Sequence, residues 1–255
     1  MRNGFIGAIV VTALVTILGP SSSTVSGQAS RPASDPDISG VWATRPPPAP
    51  IPGAPAAGPD FLSDSRKPEP AMTPWAEAEY KANKTPERTG WNDPVFNCFP
   101  PGLPRVYSVD LNGAMEIIQI PGRVLQIFEF DHHVRQIFTD GRKHDENQAA
   151  TWLGDSIGKW EGDTLVVDTV NFNDKTRLDR LGHPHTDALH LVERFRRVNR
   201  ETLAIDITIE DPKAYTKPWG GRLIYGFKPD WKITEFMCQD NHTFDEFREK
   251  AAKKP

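Results

Sequence analysis

From residue 105 to residue 242 the chain is a succession of short, β-prone runs cut by turn residues. MEIIQI is followed by Pro121-Gly122, RVLQIFEF by Asp131-His132, GDSIGKW by Glu161-Gly162, DALHLVERFRRV by Asn199-Arg200, and RLIYGF by Lys228-Pro229-Asp230. Runs rich in β-branched and aromatic residues, separated by turns of two or three residues, predict an antiparallel up-and-down meander of roughly eight to ten strands. A mainly β sheet of that size exposes two edges unless it closes, so the expected fold is a calycin- or lipocalin-like barrel. Within LAIDITI, Leu203, Ile205, Ile207 and Ile209 share one face, the mark of a half-buried strand. WKITEFMC reads as a further strand.

In an up-and-down meander successive connections alternate between the two ends of the barrel. The tight turns at 131–132, 161–162, 199–200 and 228–230 then fall at one end. The connections at 121–122, 140–153, 172–186 and 211–220 fall at the other, so the three long loops are expected on one rim. Binding residues concentrate on loops carried by a rigid scaffold. That rim would hold His144, Asp145, Trp152, Asp174, Asp179, Arg180, His183, His185, Tyr215 and Trp219.

The residues before the barrel fall into three parts. Residues 1–29 read as a secretory signal peptide: Arg2, an apolar FIGAIVVTALVTIL too short for a comfortable membrane span, and small residues at the cut. Residues 30–70 form a Pro-rich arm, extended or disordered, within which DISGVW (37–42) is apolar enough to dock on the domain. Residues 71–104 contain one helix: Thr73 is a natural N-cap, Pro74 suits the first helical position, and the pattern runs to about Asn83. Residues 105–242 are the barrel domain, and residues 243–255 form a charged tail or short helix. A net charge of -4 argues against nucleic acid as a partner. After signal cleavage nothing suggests a membrane partner. The two cysteines, Cys98 and Cys238, either pair in an oxidising compartment or stay as separate buried thiols; spacing leaves both open.

The densest polar stretch is GHPHTDALH. If it is extended, His183, His185 and Asp187 point the same way, and His190 points the other. His144, His183 and His185 are the candidate acid–base groups, with Asp187 orienting a histidine. The same His183-x-His185 spacing suits a divalent transition metal. His190 and Arg194 share a strand face; facing inward they would stabilise negative charge, facing outward they are a basic stripe, and Glu193 lies on the opposite face with Leu191 and Phe195. Trp152, Tyr215 and Trp219 are candidate aromatic walls for substrate. His132 reads as turn chemistry, while His133 and Arg135 share a face and either one can point into the barrel. GDSIG supplies a G-x-S-x-G pattern around Ser156, but β structure follows it rather than the helix that a nucleophile elbow needs. No nucleotide-binding fingerprint is present, so no nucleotide cofactor is expected.

The runs DGRKH, WLGDSIGKWEGDTLVVDT, GHPHTDALHLVERFRRV and IEDPKAYTKPW, spread over about 98–241, resemble a family of secreted, β-rich bacterial proteins. The resemblance implies export and a bacterial source, and it transfers no catalytic role to any residue. The leading expectation is an exported enzyme doing acid–base chemistry (lyase, isomerase or hydrolase) on a small, partly apolar or glycoside-like molecule at the barrel mouth. The alternatives are a non-catalytic lipocalin-like carrier and a metal-dependent enzyme using His183 and His185.

Overall fold

The computed structural model describes residues 36–44, 68–84, 93–109 and 113–240. The expected signal peptide, most of the Pro-rich arm and the charged tail lie outside the described residues. Nine strands form one closed barrel: β1 (Gly40–Thr44), β2 (Met115–Ile120), β3 (Arg123–Phe128), β4 (Val134–Phe138), β5 (Asp155–Glu161), β6 (Thr164–Val170), β7 (His190–Asn199), β8 (Thr202–Glu210) and β9 (Trp219–Phe227). The one α-helix among the described residues, α1 (Pro74–Asn83), begins where the sequence places it. Thr73 Oγ1 accepts from the Ala76 amide, and Pro74 occupies the first turn.

The mainly β, lipocalin-like barrel holds, with two corrections to the meander. The first is β1. DISGVW does not dock on the outside of a finished barrel; its strand closes it, pairing antiparallel with both β2 and β9. WKITEFMC, expected as a strand, forms no ladder, because both edges of β9 are already taken by β8 and β1. It crosses instead to the β3–β4 turn, where Phe236 bridges Phe130, and Cys238 is bonded to Cys98 with Cα atoms 5.5 Å apart. Of the two readings of the cysteines, the structure has the disulfide.

The second correction is parity. A ring of nine strands cannot alternate direction all the way round, so at least one neighbouring pair must be parallel. That pair is β4–β5, and its ladder is short: Ile137 with Ser156 and Phe138 with Ile157. The 139–154 connection must therefore travel from one end of the barrel to the other. Consequently 121–122, 162–163 and 200–201 lie at one rim, while 129–133, 171–189 and 211–218 lie at the opposite one. The turn at 131–132 is thus at the other end from 161–162. Only two of the three long loops share a rim, and the third reaches it only with its last residues, where Thr151 bridges Phe172. α1 sits beneath that rim, tied by Thr73 N–H to Ala214 O at 2.8 Å and by Asn83 Nδ2 to Gly182 O at 2.9 Å.

The interior follows the two-residue period. Val124 and Phe128, Ile137, Leu165 and Val167, Leu191 and Phe195, Leu203, Ile205, Ile207 and Ile209, and Leu223 and Tyr225 are buried in one continuous core with Trp42, Met115 and Ile117. A barrel this small is filled by its own side chains rather than holding a channel.

Candidate functional site

The core has a polar centre. Arg135 and Glu193 face each other with side chains 1% and 0% exposed, and Arg135 Nη2 forms a short ion pair with Glu193 Oε2. The remaining donors are used as well: Nε to Ser156 Oγ at 3.0 Å, Nη1 to Gln126 Oε1 at 2.9 Å and to Tyr107 OH at 3.1 Å, Nη2 to Thr169 Oγ1 at 2.8 Å. Tyr107 donates to Glu193 Oε1 at 2.7 Å. Burial works against the guanidinium charge, but the adjacent Glu193 outweighs it and holds the Arg135 pKa above its usual value; the Tyr107 phenol is pushed well up by burial and by Glu193. Such a network tolerates burial because it is complete.

Ser156 belongs to this network and not to a nucleophile elbow. It stands in β5 with its Oγ between Arg135 and Thr169. The flanking glycines have packing roles. Gly154 has φ +69 and lies so close to β6 that a Cβ would stand 2.6 Å from Val170 O, and a Cβ on Gly158 would meet Ile137 and Leu165.

The GHPHTDALH stretch does not converge. His183 is buried with Nδ1 on Asp179 Oδ2 at 2.5 Å and Nε2 on Glu69 Oε2 at 2.8 Å. Burial would lower its pKa, but the two carboxylates outweigh that and raise it, so both nitrogens donate. Its ring stacks on Tyr80 (4.2 Å between centroids) and leans on Trp219, which in turn packs on Tyr215. Tyr215 donates to Pro184 O at 2.7 Å. His183, Tyr215 and Trp219 thus clamp α1 to the rim and do not line a ligand wall.

His185 is turned away. Its Nδ1–H donates to Thr186 O at 3.1 Å and its Nε2 accepts from Thr176 Oγ1 at 2.7 Å, while burial pushes its pKa down, so the ring is neutral. Asp187 is an exposed partner of Lys213 and orients no histidine. With the nitrogens of His183 and His185 committed to separate partners, the expected His-x-His metal pair does not form. Among the described residues no group of three or more His, Cys, Asp or Glu gathers as a metal site.

His190 and Arg194 face outward, the second of the two orientations weighed for them; inward on β7 are Leu191, Glu193 and Phe195. Arg194 pairs with Glu161 at the surface. His190 joins a chain of alternating carboxylates and imidazoles across the outside of the barrel. Asp155 Oδ2 lies 2.9 Å from His144 Nδ1, His144 Nε2 2.9 Å from Asp168 Oδ1, Asp168 Oδ2 3.0 Å from His190 Nε2, and His190 Nδ1 3.1 Å from Glu210 Oε2. Burial opposes charge on both His190 and Asp168, but Asp168 and Glu210 outweigh it and raise the His190 pKa, while His144 and His190 outweigh it and lower that of Asp168. Because His144 sits on the 139–154 crossing, this chain pins the crossing to the barrel wall.

What remains open lies at the β4–β5 seam. The β4–β5 ladder ends at Ile137, so Val134, Arg135 and Gln136 have no strand partner on that side. A groove of about 330 Å³ fills the gap between β4 and residues 148–154. Its apolar lining is Pro100, Val134, Phe138, Trp152 and Leu153; its polar lining includes His133, Gln136, Gln148, and the edge of the interior network at Arg135 and Ser156. Of the expected substrate-binding aromatics, Trp152 alone is here, packed near Phe99. His133 Nε2 is buried without a hydrogen-bond partner, and burial lowers the His133 pKa against the weaker pull of Asp131. A second, more polar cleft of about 380 Å³ lies between α1 and the 174–185 loop and contains His185.

Arg135 and Glu193 were readable as inward residues by parity with Ile137, and with Leu191 and Phe195. Glu69 and Asp211 carried no such signal. Asp211 is buried and its Oδ2 accepts from the Thr186 amide at 2.6 Å, fixing one rim loop on the other. Comparison of the chain with protein-family models, with curated proteins and with solved structures returned no match.

Proposed function

We propose that this chain is an exported small-molecule binding protein whose ligand lies in the lateral groove at the β4–β5 seam. The observation that carries the reading is the two-residue parallel ladder, which leaves a mixed apolar and polar groove in the wall of an otherwise filled barrel. Export is supported by the Cys98–Cys238 disulfide, a bond that persists in oxidising compartments. The acid–base reading loses its expected carriers: His144, His183 and His185 have both ring nitrogens engaged, as does His190, expected to stabilise negative charge, and none of the four lines the groove. His133 is the one imidazole in the groove, so any proton transfer to a bound molecule falls to it.

The test is a thermal-shift screen of a small-molecule library on the oxidised protein, repeated on Trp152→Ala and Val134→Asp. Ligands that raise the melting temperature of the parent and lose that effect in both variants support the groove. Ligands whose effect survives both substitutions bind elsewhere and overturn it.

A further inference from the structure

If the seam groove is the ligand site, the strand edge along it points to the class of ligand. In the antiparallel β3–β4 ladder, His133 O accepts from Phe128 N–H and Thr139 N–H donates to Gly122 O. Hydrogen-bonded pairs alternate along such a ladder, so Arg135 and Ile137 also turn their main-chain groups toward β3. Those of Val134, Gln136 and Phe138 turn the other way, into the seam. Phe138 pairs there with Ile157 of β5, and the Gln136 carbonyl lies where that parallel ladder begins. Val134 N–H, Val134 C=O and Gln136 N–H are left without a strand partner: donor, acceptor, donor along one edge. Such an edge is a template for another extended chain.

The far wall offers no second edge. Thr151 N–H donates to Asn171 O and Thr151 O accepts from Asn173 N–H, while Gln148 N–H donates to Asp145 O and Gln148 O accepts from Asn171 Nδ2. That wall gives the groove side chains instead, Trp152, Leu153 and Gln148, and Val134 and Pro100 add to the apolar lining. Arg142 already covers the Phe138 ring, 3.8 Å from its centroid. The charged residues of the lining, Arg135 and Asp155, are paired within the protein. Arg135 is shared among Glu193, Ser156, Thr169, Tyr107 and Gln126, and Asp155 Oδ2 meets His144 Nδ1 and the Asp145 amide. The complement of such a groove is an uncharged chain; an ionised group would give up hydration for no counter-ion.

We infer that the groove takes a short peptide in extended conformation, added to β4 as a strand through the main chain of Val134 and Gln136, with its ends blocked or outside the groove. The inference rests on the groove being the ligand site. A peptide backbone alternates N–H and C=O at the spacing the edge presents, and main-chain bonds of this kind supply affinity while alternate side chains supply specificity. The open edge is three residues long, in keeping with a groove of about 330 Å³. Side-chain direction sets the preference. A peptide residue opposite Arg135 points inward with it and meets the filled interior, so it must be small. Its two neighbours point outward, beside Val134, which is 51% exposed, and are best apolar.

The probe is the blocked tripeptide acetyl-Val-Ala-Val-amide, titrated by calorimetry into the oxidised protein at pH 7. Two analogues separate the terms: the same side chains joined by esters, which lack the N–H donors, and acetyl-Val-Leu-Val-amide, with a bulky centre. The tripeptide should bind about ten-fold tighter than the ester, which leaves Val134 C=O unpaired, and the Leu-centred peptide should bind weakest. Val134→Pro removes a seam-facing N–H without taking a bond from the β3 ladder, a change tolerated at strand edges. That variant and Trp152→Ala should each weaken the tripeptide, and the ester comparison on the parent protein needs no variant to fold. If the tripeptide does not bind, or the ester binds as tightly, the peptide assignment is wrong, and the groove still stands if hits of the thermal-shift screen depend on Trp152 and Val134. If the tripeptide binds and neither variant weakens it, it sits elsewhere and the inference is refuted.

Discussion

Removing one half of the buried ion pair should be among the most damaging single changes this barrel can suffer. Arg135→Met leaves Glu193 in the core with Tyr107 as its remaining hydrogen-bond partner and takes partners from Ser156, Gln126 and Thr169. Glu193→Gln leaves the guanidinium without its counter-ion, and a guanidinium cannot shed its proton to escape. With both side chains essentially inaccessible, each single change should cost about 3–5 kcal/mol. For a folded unit of this size that corresponds to roughly 6–20 °C in melting temperature. The double change Arg135→Met with Glu193→Leu removes both charges together and should cost far less than the sum of the two single changes. Urea unfolding followed by tryptophan fluorescence, on the parent and the three variants, completes the cycle. Single costs below about 1 kcal/mol, or a double cost equal to the sum, would show that the pair is not the coupled, desolvated contact described here.

Four further outcomes follow from particular contacts. His183 has a folded pKa above its unfolded value, so the stability it contributes is fully present below about pH 6.5 and fades as pH rises through the raised folded value. The stability difference between the parent and His183→Phe should therefore shrink between pH 6 and pH 9, and a constant difference would contradict the double carboxylate contact. His185 has the opposite sign: its lowered pKa gives stability present above about pH 6.5 and lost as pH falls, so His185→Gln should flatten the parent's decline between pH 6.5 and pH 5. Reduction, or Cys98→Ser with Cys238→Ser, opens a link spanning 140 residues and should remove about 4–5 kcal/mol, seen as a melting temperature lower by about 10 °C or more. Gly154→Ala meets both a left-handed backbone and the Val170 carbonyl, and should cost more than about 1 kcal/mol in the same unfolding assay.

What the sequence shows plainly is what depends on neighbours along the chain. Strand period, turn residues and the Thr73-Pro74 helix start are local, and they fall where the structure has them, from Met115–Ile120 through Thr202–Glu210. What the sequence hides depends on closure. β1 is embedded in proline-rich chain, and only the two free edges of the sheet, at β2 and β9, give it a reason to be a strand. The parallel β4–β5 pair is a demand of counting nine strands round a ring, and nothing in residues 139–154 spells it. That one inversion moved the candidate site from a barrel mouth to the seam. It also separated His144 from His183, which a simple meander would have put on one rim. The partner of His183, Glu69, is 114 residues away, so a reading of GHPHTDALH alone sees three histidines and a carboxylate and misses the contact that commits the first of them.

The most direct test of a ligand groove at the seam is a two-dimensional amide NMR titration of the oxidised, isotope-labelled protein with a ligand found in the thermal-shift screen. Shift changes concentrated at residues 133–138 and 148–156, with those of α1 and the 174–185 loop unmoved, are the predicted result. Changes centred on α1 and 174–185, or saturable binding with no change at the seam, would contradict it.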